Sequence, residues 1–399
     1  MTDLAPRLNR LALFFIASFV VLSLFTTRWA TLDPAGLLAR PENARNLLAE
    51  ARINRGAILD RTFQPLALTT GLPGQYQRTY PLPGTAPVVG YLSLNYGVAG
   101  LEATFDPDLR GDTRPTDDWR AALLDLPQQG SDLQTTLDAD WQQRAATALA
   151  RNHGAVVILA PSGAILALVS APSYDPNTLD ADWPQLIADP TTPLLNRATL
   201  GQYRFDTGFE PFIQAAALRF ATPTPSANQL RLTWRDLGLT DAPAIRLDTA
   251  PIDDDNINNT LALPRFLTSP TERQLLVSPL NVAWATLTIA QNGVRPPLHL
   301  VTALQNPDGV ITPLNPLGPP RVALPPATAA ELDIWLQHHG SAPANATGYA
   351  ATALQLPGGQ PLGWWFGYTA DRQLTIVVLV ENGRAETAIR VVEALLADQ

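Results

Sequence analysis

The chain has no lysine; its 27 basic residues are all arginine. A buried lysine can lose its proton and act as a base or as an imine-forming nucleophile, whereas arginine stays charged at any ordinary pH. Walker phosphate loops, Schiff-base chemistry and serine/lysine hydrolysis are excluded on that ground. Cysteine is absent as well, which removes disulfides, thiol nucleophiles and thiolate metal sites. The histidines are scattered, at His153, His299, His338 and His339, and the adjacent pair reads as a helix end because helical neighbours point to different sides. No metal or other cofactor is expected. A net charge of −9 without a basic patch leaves no footprint for nucleic acid, whose backbone demands clustered cations. Richness in Ala, Leu, Pro and Arg fits codon drift from Lys to Arg, which accounts for the surface positions.

What is present is a globular composition, with 399 residues of which 46% are apolar and 16% charged, enough for two or three domains with real cores. Between Arg10 and Arg28 the chain runs uncharged through Phe14, Phe15, Ile16, Phe19, Val20, Val21 and Phe25, roughly the minimum length for a membrane span. No small-x-small cleavage site follows, because Thr27-Arg28-Trp29 stands there, so a retained signal anchor is favoured over a cleaved signal. Arg7 and Arg10 keep the N-terminal end in the cytoplasm, with Trp29 at the outer interface and the bulk of the chain extracytoplasmic on a single-pass anchor in the cytoplasmic membrane.

Three regions follow: residues 1–30 as stub and anchor, 31–131 as a β-rich region, and 132–399 as a larger domain. The stretch Asp112 to Gly130 separates the last two, being rich in Asp, Arg, Pro, Gln and Gly with weak apolar periodicity. Leu133–Asp138 alternates like a strand, and Trp141, Ala145, Ala148 and Leu149 recur at helical spacing with Asp138 placed to cap. A hairpin runs through 155–159 and 165–169 around Pro161-Ser162-Gly163, apolar on both faces and hence covered on both. Helices are expected at Phe212–Leu218, Asn281–Gln291, Glu331–His338 and Glu386–Leu396, and a strand at Leu374–Val380. This order gives an α+β domain with helices packed on an antiparallel sheet.

Arg55-Gly56-Ala57-Ile58-Leu59-Asp60-Arg61 stands past the anchor. Further on come Tyr80-Pro81-Leu82-Pro83-Gly84 and Tyr96-Gly97-Val98-Ala99-Gly100-Leu101-Glu102. Then follow Ser170-Ala171-Pro172-Ser173-Tyr174-Asp175-Pro176-Asn177, Ser278-Pro279-Leu280, Trp365-Phe366-Gly367-Tyr368 and Val380-Glu381-Asn382. In this order they resemble the class B penicillin-binding proteins, the transpeptidases that cross-link bacterial peptidoglycan. The resemblance covers nearly the whole chain. It implies a penicillin-binding-protein/β-lactamase-like transpeptidase domain with its antiparallel sheet flanked by helices, standing on a β-rich pedestal or dimerisation-like domain after one N-terminal transmembrane helix. It also implies three motifs around one groove: a serine with a lysine one helical turn later as its base, a Ser-x-Asn element, and a Lys-Thr-Gly strand for the substrate carboxylate.

Aligning Tyr203, Phe209, Pro211 and Phe212 with that family puts Thr207 at the serine and Glu210 at the lysine. The third motif falls on Ala346-Thr347-Gly348, with Ala346 at the lysine, and the one candidate for the second is Ser226-Ala227-Asn228. Drift would have left arginine at both lysine positions, so Glu210 and Ala346 read as loss. An anion at 210 would repel a substrate carboxylate by roughly 4 kcal/mol at 4 Å and an effective dielectric of 20. A competing enzymatic reading makes Thr207 the nucleophile and Glu210 its general base on a substrate without a carboxylate. The simpler reading has Thr207 and Glu210 forming a capping box, and the acidic stretch Asp253 to Asn259 forming a solvated turn rather than a calcium loop. The resemblance then implies an inactive scaffold or regulatory partner whose contacts are the membrane, a polytopic glycosyltransferase or other cell-wall synthases, and peptidoglycan. Residual transpeptidation and a decaying gene are the alternatives.

Overall fold

A computed structural model describes residues 5–31, 50, 52–113, 128–262, 266–269, 273, 275–341, 343, 345–355 and 359–397, with 5–8 and 29–31 described by backbone alone. The expected interface side chain of Trp29 and most of the 112–130 separator therefore lie outside the described residues. Helix α1, Ala5–Thr31, leaves its apolar side chains, among them Phe14, Phe19 and Leu24, facing outward with nothing against them. It is long and apolar enough to cross a bilayer.

Beyond α1 come β1 (Ile58–Leu59), β2 (Pro65–Thr70) and β3 (Gln77–Thr79), then β4 (Asp132–Thr135). Helix α2 (Ala139–Leu149) begins where Asp138 accepts from the N–H groups of Asp140 and Trp141, the cap the sequence places there. The hairpin β5 (Gly154–Leu159) and β6 (Ile165–Ala171) follows, then α3 (Glu210–Arg219), α4 (Ala227–Leu237), α5 (Asp254–Leu261) and α6 (Pro279–Ala290). The chain closes with β7 (Val301–Gln305), β8 (Ile311–Pro313), α7 (Pro326–His339), β9 (Ala346–Gln355), β10 (Gln360–Thr369), β11 (Thr375–Glu381) and α8 (Ala385–Leu396). The pair His338 and His339 does end a helix, each ring nitrogen meeting the carbonyl one turn back.

Two sheets organise the molecule. The larger domain is built on β9-β10-β11-β5-β6, antiparallel throughout. Alternate residues of its strands enter two cores, as the two-faced apolarity of the hairpin requires. Val157, Leu168, Val377 and Leu379 face the core around α6, whereas Val156, Val169, Ile376 and Val378 face α2 and α8. Every residue of α6 is buried, which is why its sequence shows no polar face.

The second sheet has the order β8-β7-β4-β1-β2-β3, parallel between β1 and β4. It draws β1 to β3 from the first region and β4, β7 and β8 from beyond residue 131, so one sheet crosses the expected boundary. Gly56 lets the two parts approach, since a Cβ there would lie 1.9 Å from the Ser131 carbonyl oxygen.

The segments carrying the resemblance hold the first region together and join it to the larger domain, the first through Arg55, Arg78 and Glu102 and the second through Asp60 and Asn177. Arg55 donates through Nε to Glu102 Oε2 at 2.6 Å and through Nη1 to Asp106 Oδ1 at 2.6 Å, while Arg78 Nε reaches Glu102 Oε1 at 2.7 Å. Glu102 is fully buried between the two guanidinium groups. Asp60 accepts from Thr62 and Gln64 in its own turn and from the Ala139 N–H at the start of α2. Asn177 both donates to and accepts from the Tyr80 backbone.

Candidate functional site

The segment expected to hold the nucleophile folds as a two-residue strand, Tyr203–Arg204, a 3₁₀ turn, Asp206–Phe209, and then α3. Aromatic packing fixes it. Phe205 meets Trp364 at a ring separation of 4.9 Å, Phe209 stacks on Trp234 at 4.9 Å, and Phe212 stacks on Phe366 at 5.6 Å. The indole N–H of Trp364 donates to the Arg204 carbonyl and that of Trp234 to the Phe212 carbonyl.

Thr207 and Glu210 do not form the expected capping box. The residue preceding α3 is Phe209, and no side chain caps the helix, because the 3₁₀ turn runs straight into it and leaves Thr207 upstream of the cap. The half-buried Thr207 hydroxyl has no hydrogen-bond partner among the described residues. Glu210 instead accepts from Arg273 Nη1 at 2.8 Å. The Arg273 side chain is only 1% exposed and donates also to the carbonyls of Asp206, Phe266 and Leu267. Its guanidinium lies over the Phe266 ring.

The negative site expected from Glu210 alone is therefore corrected. A buried cation neutralises the carboxylate, and a second ion pair joins Arg204 to Asp206 at 2.9 Å. Asp206 adopts φ +38°, a left-handed conformation uncommon outside glycine. Its carboxylate spans Arg204 on one oxygen and the Leu354 N–H, at 3.1 Å, on the other. Tyr349 stands nearby on β9; burial raises its phenol above the usual range, with the Glu210 charge adding and the Arg273 charge opposing.

Strand β9 carries the third-motif segment, and Tyr349, which directly follows Gly348, stands near Glu210 and Arg273. Thr347 lies seven residues from Leu354 on the extended β9, about 23 Å along the strand at 3.3 Å per residue. Ala346-Thr347-Gly348 sits beside the end of α7, where the Ser341 N–H donates to the Gly348 carbonyl. Further along the strand, the stretch Ala351-Thr352-Ala353-Leu354 meets Asp206 through the Leu354 N–H, and its Ala351 pairs with the Trp364 that holds Arg204. Neither stretch supplies a cation, and the Thr352 hydroxyl accepts from the Ala385 N–H at the start of α8.

Ser226-Ala227-Asn228 is the exposed start of α4. Ser226 and Gln229 make a reciprocal capping box there, so the segment forms a helix terminus. Asp253 likewise caps α5, which makes the acidic stretch a helix instead of the expected turn. Arg204, Asp206, Arg273 and Tyr349 escaped the sequence reading. Asp206 adjoins Thr207 and was the one within reach; Arg273 stands alone in an aperiodic Pro/Ser/Thr segment that gives no signal.

A profile of the penicillin binding protein A dimerisation domain matches residues 55–133. The peptidoglycan D,D-transpeptidase PbpA of Mycolicibacterium smegmatis is 30% identical over 94% of both chains. The chain belongs to the class B penicillin-binding proteins. This penicillin-binding protein is also similar to penicillin-binding protein A of M. tuberculosis in its imipenem acyl-enzyme complex, with a TM-score of 0.75 at 26% identity over 88% of this chain and all of that one. A shorter stretch, 28% of this chain, is 40% identical to part of the peptidoglycan D,D-transpeptidase MrdA of Escherichia coli. The protein is thus a penicillin-binding-protein homologue of peptidoglycan synthesis with one N-terminal apolar helix long enough to span a bilayer.

Proposed function

We propose that this penicillin-binding protein does not itself cross-link peptidoglycan and serves instead as a membrane-anchored scaffold or regulatory partner of cell-wall synthases. The Glu210–Arg273 pair carries this reading. A transpeptidase of this family needs a deprotonatable amine one turn after its nucleophile; here a carboxylate stands there, tied to a guanidinium that cannot act as a base. Arg273 cannot replace the lost cation toward substrate either, since its side chain is buried and four of its five N–H donors are taken by three carbonyls and Glu210. Thr207 is left without an activating partner, and its β-methyl group hinders attack.

The domains retained point to binding. The pedestal joint and the two cores of the larger domain are intact, and partners of matching location are a polytopic glycosyltransferase, other synthases and peptidoglycan itself. The full chain in detergent, incubated with a fluorescent penicillin, is expected to take up no covalent label. Stoichiometric labelling that disappears in Thr207→Ala would establish residual acyl transfer in its place. Affinity purification from membranes is expected to recover an envelope-synthesis protein, and recovery of none would remove the basis of the scaffold role.

A further inference from the structure

A second cleft, of about 240 Å³, lies between α6 and the two-stranded ribbon Val294–Arg295/Arg321–Val322. Arg295 and Arg321 are directly opposed across that ribbon, an arrangement that is destabilising for like charges unless something anionic lies against them. Arg295 is 5% exposed and stacks over Trp284, its guanidinium carbon 4.5 Å from the ring centroid. Its recorded polar contacts both involve Nη1, at 2.7 Å to the Arg235 carbonyl and 3.0 Å to Asp241 Oδ2. Nε and Nη2 thus have no acceptor among the described residues, although Arg295 lines the cleft. Arg321, which also lines it and is exposed, has no ion pair or hydrogen bond among the described residues.

We infer that this cleft binds a carboxylate-bearing ligand between Arg295 and Arg321. A guanidinium edge presents two parallel N–H donors matched to a carboxylate, and the buried Arg295 is held in place by Trp284 and the Arg235 carbonyl before any ligand arrives. Asp241 offsets one of the two positive charges, leaving a single net charge that suits a monoanion better than a phosphate dianion. Asp236, on α4, is the other acidic group acting on Arg295. No residue of the Asp206–Phe209 turn lines the cleft, so its occupancy is tested separately from acyl transfer.

The test is equilibrium dialysis of the full chain in detergent with radiolabelled N-acetylalanine as a monocarboxylate probe and with inorganic phosphate as competitor. Saturable binding is expected below about 10 mM, weakened at least tenfold by Arg321→Gln, an exposed substitution that leaves the buried network alone. Arg295→Gln is expected to abolish it. Equal binding by Arg321→Gln, or no saturable binding of the probe, would overturn the site. Phosphate binding more tightly than the carboxylate would overturn the class of ligand assigned to it.

Discussion

The Glu210–Arg273 pair is lopsided, and the lopsidedness makes a prediction. The Arg273 side chain is 1% exposed and that of Glu210 37%. Removing the buried member strips three carbonyls of their donor, so Arg273→Ala is expected to cost about 3 kcal/mol in denaturant unfolding. Glu210→Gln keeps a neutral acceptor at the half-exposed end and is expected to cost under about 1 kcal/mol; equal losses would show that the pair does not work as described. A second residue-level expectation concerns His299, whose imidazole is held below the usual histidine range by burial, with its contact to the Pro297 carbonyl opposing. Because the folded value lies below the unfolded one, the unfolded chain binds the proton first. The contribution of His299 is complete above the unfolded value near 6.5 and is lost as pH falls through the folded value. Melting temperatures from pH 7 down to 5 should therefore decline, less steeply in His299→Gln; parallel profiles would exclude His299 as a source. At this scale the sequence revealed which residues were missing from the site but not what replaced them. The absence of lysine is visible in any alignment of motifs, whereas the Arg273 contact is made by a distant loop residue that no local pattern announces.

Among elements, those defined by periodicity were legible and those defined by contacts with the rest of the fold were not. The hairpin β5–β6, the buried α6 and the Asp138 cap follow from spacing and from residue type. The contact of β9 with the Asp206 turn did not, because nothing in Ala351-Thr352-Ala353-Leu354 announces a partner for Asp206. Strand register against β10 and the Asp206–Leu354 hydrogen bond bring that stretch to the turn. Gly348 has its own reason to be glycine: a Cβ would lie 2.5 Å from the Trp365 ring and 2.8 Å from the Phe366 carbonyl. Gly348→Ala is accordingly expected to lose roughly 1–3 kcal/mol by overpacking, a cost of packing and not of chemistry. Ser226→Ala should cost about 1 kcal/mol through the lost cap of α4 and leave partner binding unchanged; loss of binding by the folded variant would return Ser226 to the functional surface.

For the molecule as a whole, the segments that gave away the family are those that hold the pedestal together and, through Asp60 and Asn177, tie it to the larger domain. Arg55, Arg78 and Glu102 form a buried ionic cluster, and removing its one fully buried carboxylate leaves Arg78 unbalanced and Arg55 with Asp106 alone. Glu102→Ala is expected to cost about 3–5 kcal/mol, measured as loss of cooperative unfolding and of protease resistance in residues 52–113. A wild-type midpoint in this variant would mean that the cluster does not hold the pedestal together. The shared sheet has a further consequence, for the order in which the chain is made. Strands β1 to β3 leave the ribosome first, yet their sheet is not complete until β7 and β8 arrive after residue 301. Until then β4 presents an unpaired edge, the kind of surface that recruits chaperones or foreign strands. The pedestal is thus committed to waiting, half built, for most of the polypeptide to be made.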